Sequence, residues 1–70
     1  MIEVPGTFKD YLLKKPETRH GYQHCTVIAN DTVYNNVVIS EETMIVSVDG
    51  KPEIPFTSAE IQSIIVTHGE

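Results

Sequence analysis

The sequence predicts a small all-β protein with one short N-terminal α-helix, and three observations lead to this fold class. From Tyr22 onward, apolar and polar residues alternate with a period of two, as in strands that have one buried face. These stretches are short and separated by turn residues, of which Asp49-Gly50 is the strongest hairpin signal. No interior helical pattern interrupts them, so a barrel or sandwich is favoured over parallel β/α units.

The length of the chain sets a single domain over residues 1–70. A chain of this size buries only about 60% of its unfolded surface, so its own core is marginal. Small domains usually gain stability from a disulfide, a metal or oligomerisation. Cys25 is the only cysteine, so an internal disulfide is excluded and self-association is the simplest remaining source of stability.

The helix is predicted over residues 7–15. Thr7 has a carboxylate three residues later, which fits a capping box. Pro16 ends the helix because it pushes the residue before it out of the α region. One apolar stripe follows from helical spacing, formed by Phe8, Tyr11 and Leu12.

The barrel is predicted over residues 22–68. Turn residues separate its strands, and Ser58 is expected to cap a single helical turn before the last one. In the second strand, Val33, Val37 and Ile39 share one phase of the alternation. The Asn35-Asn36 pair marks a bend in the middle of the barrel. The predicted strands are 22–29, 33–39, 44–48, 53–57 and 61–68.

The last strand carries apolar residues in both phases, at Ile61, Ile64, Ile65 and Val66. A strand that is apolar on both faces is buried on both faces. A terminal barrel strand would have a free edge and one wet face, so a second copy of the chain is expected to cover it.

The order of helix, three strands, hairpin, fourth strand, helical turn and fifth strand resembles the Sm-like family, including its bacterial host-factor RNA chaperone branch. The stretch MIVSVDGKPEIPFTSAEIQSIIV, residues 44–66, carries most of the resemblance. It implies an open SH3-like (Sm-like) barrel. It also implies rings of about five to seven subunits, in which the fourth strand of one subunit pairs with the fifth strand of the next. The subunit interface would then include Ile54, Phe56, Ile61, Ile64, Ile65 and Val66.

The same resemblance implies single-stranded RNA as a candidate partner. Two loops would line the pore of the ring, one at Met44 and one at Thr57 and Ser58. The helix face and its exit would add a basic surface, formed by Lys14, Lys15 and Arg19.

The alternative is a homo-oligomeric structural or protein-interaction scaffold of the same fold that does not bind RNA. The net charge of −5 and the pI of about 5.0 favour it. So do Glu41-Glu42 in one pore loop and the lack of a cation beside Ser58 in the other. Pro55 bears on the ring itself, because it is compatible with the fourth strand only where its missing N–H would face solvent. A monomeric SH3-like peptide binder is a third possibility and would need an exposed aromatic groove.

Other classes of function receive no support from the sequence. His20, His24 and Cys25 have suggestive spacing, but sequential residues in a strand point to opposite faces, so no metal or cofactor is expected. The carboxylates of Glu41, Glu42, Asp49 and Glu53 fall at predicted turns, where solvation keeps them ionised. No nucleophile with a base and no glycine-rich phosphate loop is present, so neither an enzyme nor a small-molecule substrate is expected. With no membrane-spanning run and no leader, the expected location is cytoplasmic.

Overall fold

The computed structural model describes residues 1–15 and 21–67. Five antiparallel strands form one sheet in the order β1-β4-β3-β2-β5, curled into a half-barrel, with one short helix near the N-terminus. This confirms the predicted mostly-β class with a short N-terminal helix. The elements are β1 (Ile2–Glu3), a 3₁₀ turn (Gly6–Phe8), α1 (Lys9–Leu13), β2 (Tyr22–Ala29), β3 (Thr32–Ser40), β4 (Met44–Val48), a second 3₁₀ turn (Ser58–Glu60) and β5 (Ile61–Val66).

The N-terminal helix begins differently from the prediction. A 3₁₀ turn precedes α1, and the N–H of Phe8 donates to the carbonyl of Pro5 at 3.0 Å. Thr7 therefore lies inside a turn that has already begun, and neither helical segment has a side-chain cap. The predicted Thr7 capping box is wrong because Pro5 starts the turn two residues earlier. The predicted stop at Pro16 lies outside the described residues.

The two turns that bracket β3 form where the sequence predicted them. Asn30 and Asp31 have φ values of 52° and 60°, and they close the hairpin in which Ala29 pairs with Thr32. Glu41 and Glu42 have φ values of 51° and 61° between β3 and β4. The left-handed backbone at both turns suits asparagine and aspartate far better than glutamate.

The predicted fourth strand at 53–57 is absent from the sheet, which is the main correction to the sequence reading. The Asp49-Gly50 turn forms, and its closing pair makes both backbone bonds, Val48 N–H to Lys51 at 2.9 Å and Lys51 N–H to Val48 at 3.0 Å. Along a strand continuing from Lys51, every second residue would face β4. Pro55 would fall on one of these positions with no N–H to donate, so the pairing stops after one bridge.

The N-terminus occupies the place beside β4 that the fourth strand was expected to fill. Ile2 pairs with Ile45 and Glu3 with Met44. The N–H of Val4 continues this pairing by donating to the carbonyl of Thr43 at 2.7 Å. The sheet therefore ends in the two-residue β1 on one side and in β5 on the other.

The helical turn before β5 is present, but Thr57 rather than Ser58 is its N-cap. The Glu60 carboxylate accepts a hydrogen bond of 2.7 Å from the Thr57 N–H, as in a capping box. Ser58 is the first residue inside the turn, so the predicted Ser58 cap is displaced by one position.

The core lies on the inner side of the curled sheet, and α1 contributes to it through Leu12, which has no exposed surface. Gln23 is buried among these apolar residues, and its amide donates to the carbonyls of Leu12 at 2.9 Å and Lys15 at 3.2 Å. This side chain adds a donor to carbonyls at the end of the helix, where backbone acceptors commonly lack helical partners. The buried apolar residues are Val4, Leu12, Cys25, Val27, Ala29, Val37, Ile39, Ile45, Val48, Phe56, Ile61, Ile64 and Val66.

Candidate functional site

The side of the sheet that faces away from the core is the candidate site. Strand pairing places Ile65 beside Thr26, and Val33 beside Ile28. These side chains point outward, because the residues that alternate with them on β2 are buried in the core. We call this surface the outer sheet face; it comprises Tyr22, His24, Thr26, Ile28, Val33, Asn35, Val38, Ser40, Met44, Ser47, Ser63 and Ile65.

Strands β2–β5 contribute no formally charged side chain to the outer sheet face, whereas β1 places the exposed Glu3 beside Met44 at its margin. None of the residues that define this face is Asp, Glu, Lys or Arg, although the chain contains ten acidic and five basic residues. Charged residues instead occupy the turns, the helix and the N-terminal segment among the described residues. Depletion of charge is what separates the centre of a protein–protein interface from the rest of a protein surface.

The same face also exposes apolar side chains. Of the five large apolar residues that the described part of the chain exposes, three lie here: Tyr22 at 43%, Val33 at 57% and Ile65 at 46%. The other two, Met1 and Leu13, lie in the N-terminal segment. An uncharged face with several exposed apolar residues is typical of an interaction surface.

A β-bulge explains why sequence reasoning placed Val33 on the wrong face. Asn36 has a φ of 54°, and the pairing of β2 with β3 shifts register between Cys25 and Val27. One extra residue in β3 reverses the phase, so Val37 and Ile39 point inward while Val33 points outward. The Asn35-Asn36 pair was the available signal, because asparagine tolerates positive φ.

The bulge also decides the position of Tyr34. Its ring packs on Phe56 inside the half-barrel, with the ring centroids 4.9 Å apart. Asn35 lies on the outer sheet face and contacts the Thr26 hydroxyl at 3.2 Å.

Most of the residues predicted for a subunit interface lie in the core of the single chain. Phe56, Ile61, Ile64 and Val66 are buried there, and Ile54 packs against them half-buried. Ile65 alone among the six is exposed, and it belongs to the outer sheet face. Most of the apolar side chains of β5 are therefore buried in the core of the single chain.

The residues predicted to bind RNA lie in two separate places. Lys14 is exposed after α1, and the Lys15 ammonium lies 5.4 Å from the centroid of the Tyr11 ring. Arg19 lies outside the described residues.

The other three RNA candidates meet near the N-terminus. Met44 pairs with Glu3, whose carbonyl accepts a hydrogen bond from the Ser58 hydroxyl, and Thr57 is exposed next to Ser58. The structure therefore brings Met44 and Ser58 to opposite sides of the same short strand.

A groove of about 360 Å³ lies along this seam. It contains one carboxylate, one ammonium group and two hydroxyl groups, and its remaining walls are small or apolar. Its lining residues are Glu3, Val4, Pro5, Gly6, Lys9, Thr43, Ser58 and Ala59. Sequence reasoning did not find this groove, because the pairing of the N-terminus with β4 creates it.

The pKa values of the Cys25 thiol and the Glu60 carboxyl are shifted. Burial raises the pKa of the Cys25 thiol to about 12, so the thiol stays protonated and unreactive at neutral pH. Hydrogen bonds lower the pKa of the Glu60 carboxyl, first from the Asn30 side chain and then from the Thr57 backbone. His24 lies on the outer sheet face and Cys25 in the core, while His20 lies outside the described residues.

Comparison with protein-family models, curated proteins and solved structures finds no match to this chain. No helix among residues 1–15 and 21–67 has the length and apolar content needed to cross a membrane.

Proposed function

We propose that this protein is an interaction module that assembles with copies of itself through the outer sheet face. One observation carries the proposal, namely that strands β2–β5 present a face without formal charge on which Tyr22, Val33 and Ile65 are exposed. Folding of the single chain requires one buried face and leaves the other free to carry charge. Lysine and glutamate are the common residues on a wet strand face, and they are missing here.

Electrostatics favours the outer sheet face over the other surfaces as the place where two copies of the chain meet. Each chain has a net charge of −5, so copies that meet through other surfaces bring carboxylates together. Contact between two outer sheet faces avoids this repulsion and removes exposed apolar groups from water. A face that contacts the same face of a second copy gives a closed two-fold assembly.

Assignment of the half-barrel to the Sm-like fold belongs to the same proposal. It is supported by the helix that precedes the strands and by the 3₁₀ turn that leads into β5. The pairing of Ile2–Glu3 with β4 occupies the edge through which a ring of the expected kind would close. Assembly through the outer sheet face is therefore our preferred route for this chain.

The test is the mass of the protein in solution, measured by sedimentation velocity across a range of concentrations. Val33→Lys and Ile65→Lys each add a charge to the outer sheet face. We expect each variant to weaken association at least about tenfold relative to the unmodified chain. Leu13→Lys is the matched control, because it makes the same change at an exposed apolar residue away from the face.

The expected result is association of the unmodified chain and of Leu13→Lys, with loss of association in both face variants. A chain that stays monomeric to millimolar concentration would contradict the proposal. Equal weakening by Leu13→Lys and Val33→Lys would also contradict it, since the loss would then not depend on the outer sheet face.

A second candidate function, binding of single-stranded RNA, rests on the charge of the N-terminal helix. Lys9, Lys14 and Lys15 lie within seven residues, and Lys51 is the only other lysine in the chain. Titration with uridine and adenine oligonucleotides should show affinity that falls with salt and is lost in Lys14→Glu. Lys51→Glu is the control for net charge, and absence of binding at low salt would dismiss this function.

A further inference from the structure

A surface separate from the outer sheet face is the free edge of β5. Among the described residues, β5 is paired on one side by β2 and is the last strand of the sheet on the other. Backbone groups on such an edge point alternately toward the neighbouring strand and away from it. An edge of this kind can accept a strand from another chain unless something covers it.

Two successive amides at the end of β5 show which way each points. The N–H of Thr67 donates to the carbonyl of His24 on β2 at 3.1 Å. The N–H of Val66 points the opposite way and donates to the hydroxyl of Tyr11 at 3.0 Å. Tyr11 therefore lies on the side of β5 that faces away from β2.

The N-terminal segment contacts the region of β5 at both ends. The Ser58 hydroxyl, just before β5, donates to the carbonyl of Glu3, and Tyr11 contacts Val66 at the other end. Residues 3–11 thus connect a contact just before β5 to a contact at its last residue, and the strand between them is about 17 Å long. Within this segment Phe8 is half-buried against the core.

We propose that residues 3–11 act as a strap that keeps the outer edge of β5 from pairing with another strand. The strand that it excludes is β5 of a second copy. This commitment follows from the other edge of the sheet, which is already covered by the pairing of Ile2–Glu3 with β4 and by the Val48–Lys51 bridge. Antiparallel pairing of two β5 strands would join two half-barrels into one continuous sheet.

The experiment releases both anchors of the strap without removing it. Tyr11→Phe deletes the hydroxyl that accepts from Val66, and Ser58→Ala deletes the hydroxyl that donates to Glu3. Both changes are made in the Val33→Lys background, so that association through the outer sheet face does not contribute. Tyr34→Phe in the same background is the control, because it removes a tyrosine hydroxyl away from the β5 edge.

Two measurements are made on each variant, amide hydrogen exchange and solution mass. In the double release variant, the Val66 amide should exchange at least about tenfold faster, while the Thr67 amide, still bonded to β2, keeps its rate within about twofold. The mass should rise from monomer to dimer with concentration. Neither change is expected for Tyr34→Phe.

Unchanged exchange at Val66 would overturn the strap, because Tyr11 would then not protect that amide. Faster exchange without a rise in mass would also overturn it, since the edge would be open and still unable to pair. Both results are independent of the proposed function, which fails instead if Val33→Lys and the unmodified chain have the same mass.

Discussion

The two faces of the sheet are made by alternate residues of the same strands, yet they differ in what explains them. On the inner face, Cys25, Val27 and Ile39 are fully buried in the core, and the folding of a single chain accounts for every one of them. On the outer face, Val33 and Ile65 are exposed, and the neighbouring polar residues are uncharged. Stability of the monomer does not require that composition. The difference shows that the outer face, whose composition the folding of one chain does not explain, is a better guide to function than the inner face.

The largest expected difference concerns the reactivity of the inner face. At pH 8 a thiol with its ordinary pKa of 9.0 is ionised in about one molecule in ten, whereas the raised pKa of Cys25, about 12, leaves about one in ten thousand. Modification of Cys25 by a thiol reagent should therefore be on the order of a thousandfold slower in the folded chain than in urea. Comparable rates in the two conditions would show that the inner face is open to solvent.

The next prediction compares stability on the two faces of β3. Ile39→Ala on the inner face should cost about 2–5 kcal/mol, because it leaves a cavity in a fully buried position. Val38→Ala on the outer face should cost about 1 kcal/mol or less, since the side chain is only half-buried. Urea unfolding at low protein concentration measures both. Similar costs for the two variants would mean that the outer face is as well packed as the core.

Gln23 is the one buried polar residue in the part of the chain that the structure describes, and it allows a further comparison within the inner face. Gln23→Met keeps the size of the side chain but removes the donor to the Leu12 and Lys15 carbonyls, at an expected cost of about 1–3 kcal/mol. Amides within Lys9–Leu13 should exchange faster in this variant, because the end of α1 loses its tether. An unchanged midpoint in urea would show that apolar packing alone holds the helix.

The smallest effect is expected at Glu60, which belongs to neither face. Its pKa is lower in the folded chain than the ordinary value of 4.5, so its contribution to stability is complete above that value. The contribution fades as the pH falls through the folded pKa. Glu60→Gln should therefore show less loss of stability on acidification below about pH 4.5 than the unmodified chain, as measured by thermal unfolding. Identical pH profiles would exclude the capping role of the carboxylate.

Local patterns were enough to predict β2, β4, the turns around β3 and the position of β5. Alternation specifies strands, and Asn30-Asp31 and Asp49-Gly50 tolerate the left-handed backbone that tight hairpins need. The candidate site was not predictable in the same way. The phase reversal at Asn36 brings Val33 to the outer sheet face, and a bulge is decided by strand pairing rather than by the residues of one strand alone.

The sequence by itself determined the fold class, the turn positions and the charge pattern, because these depend on residues close together in the chain. Only the tertiary structure decided that Ile2–Glu3 rather than 53–57 lies beside β4, and that Tyr11 meets Val66. A two-residue strand is too short to show a periodic pattern in the sequence. Its pairing with β4 lowers the free energy only after the rest of the sheet has formed. Pro55 prevents the nearby segment 53–57 from pairing with β4, because it lacks an N–H to donate. The distant segment Ile2–Glu3, whose backbone donors are intact, pairs with β4 instead.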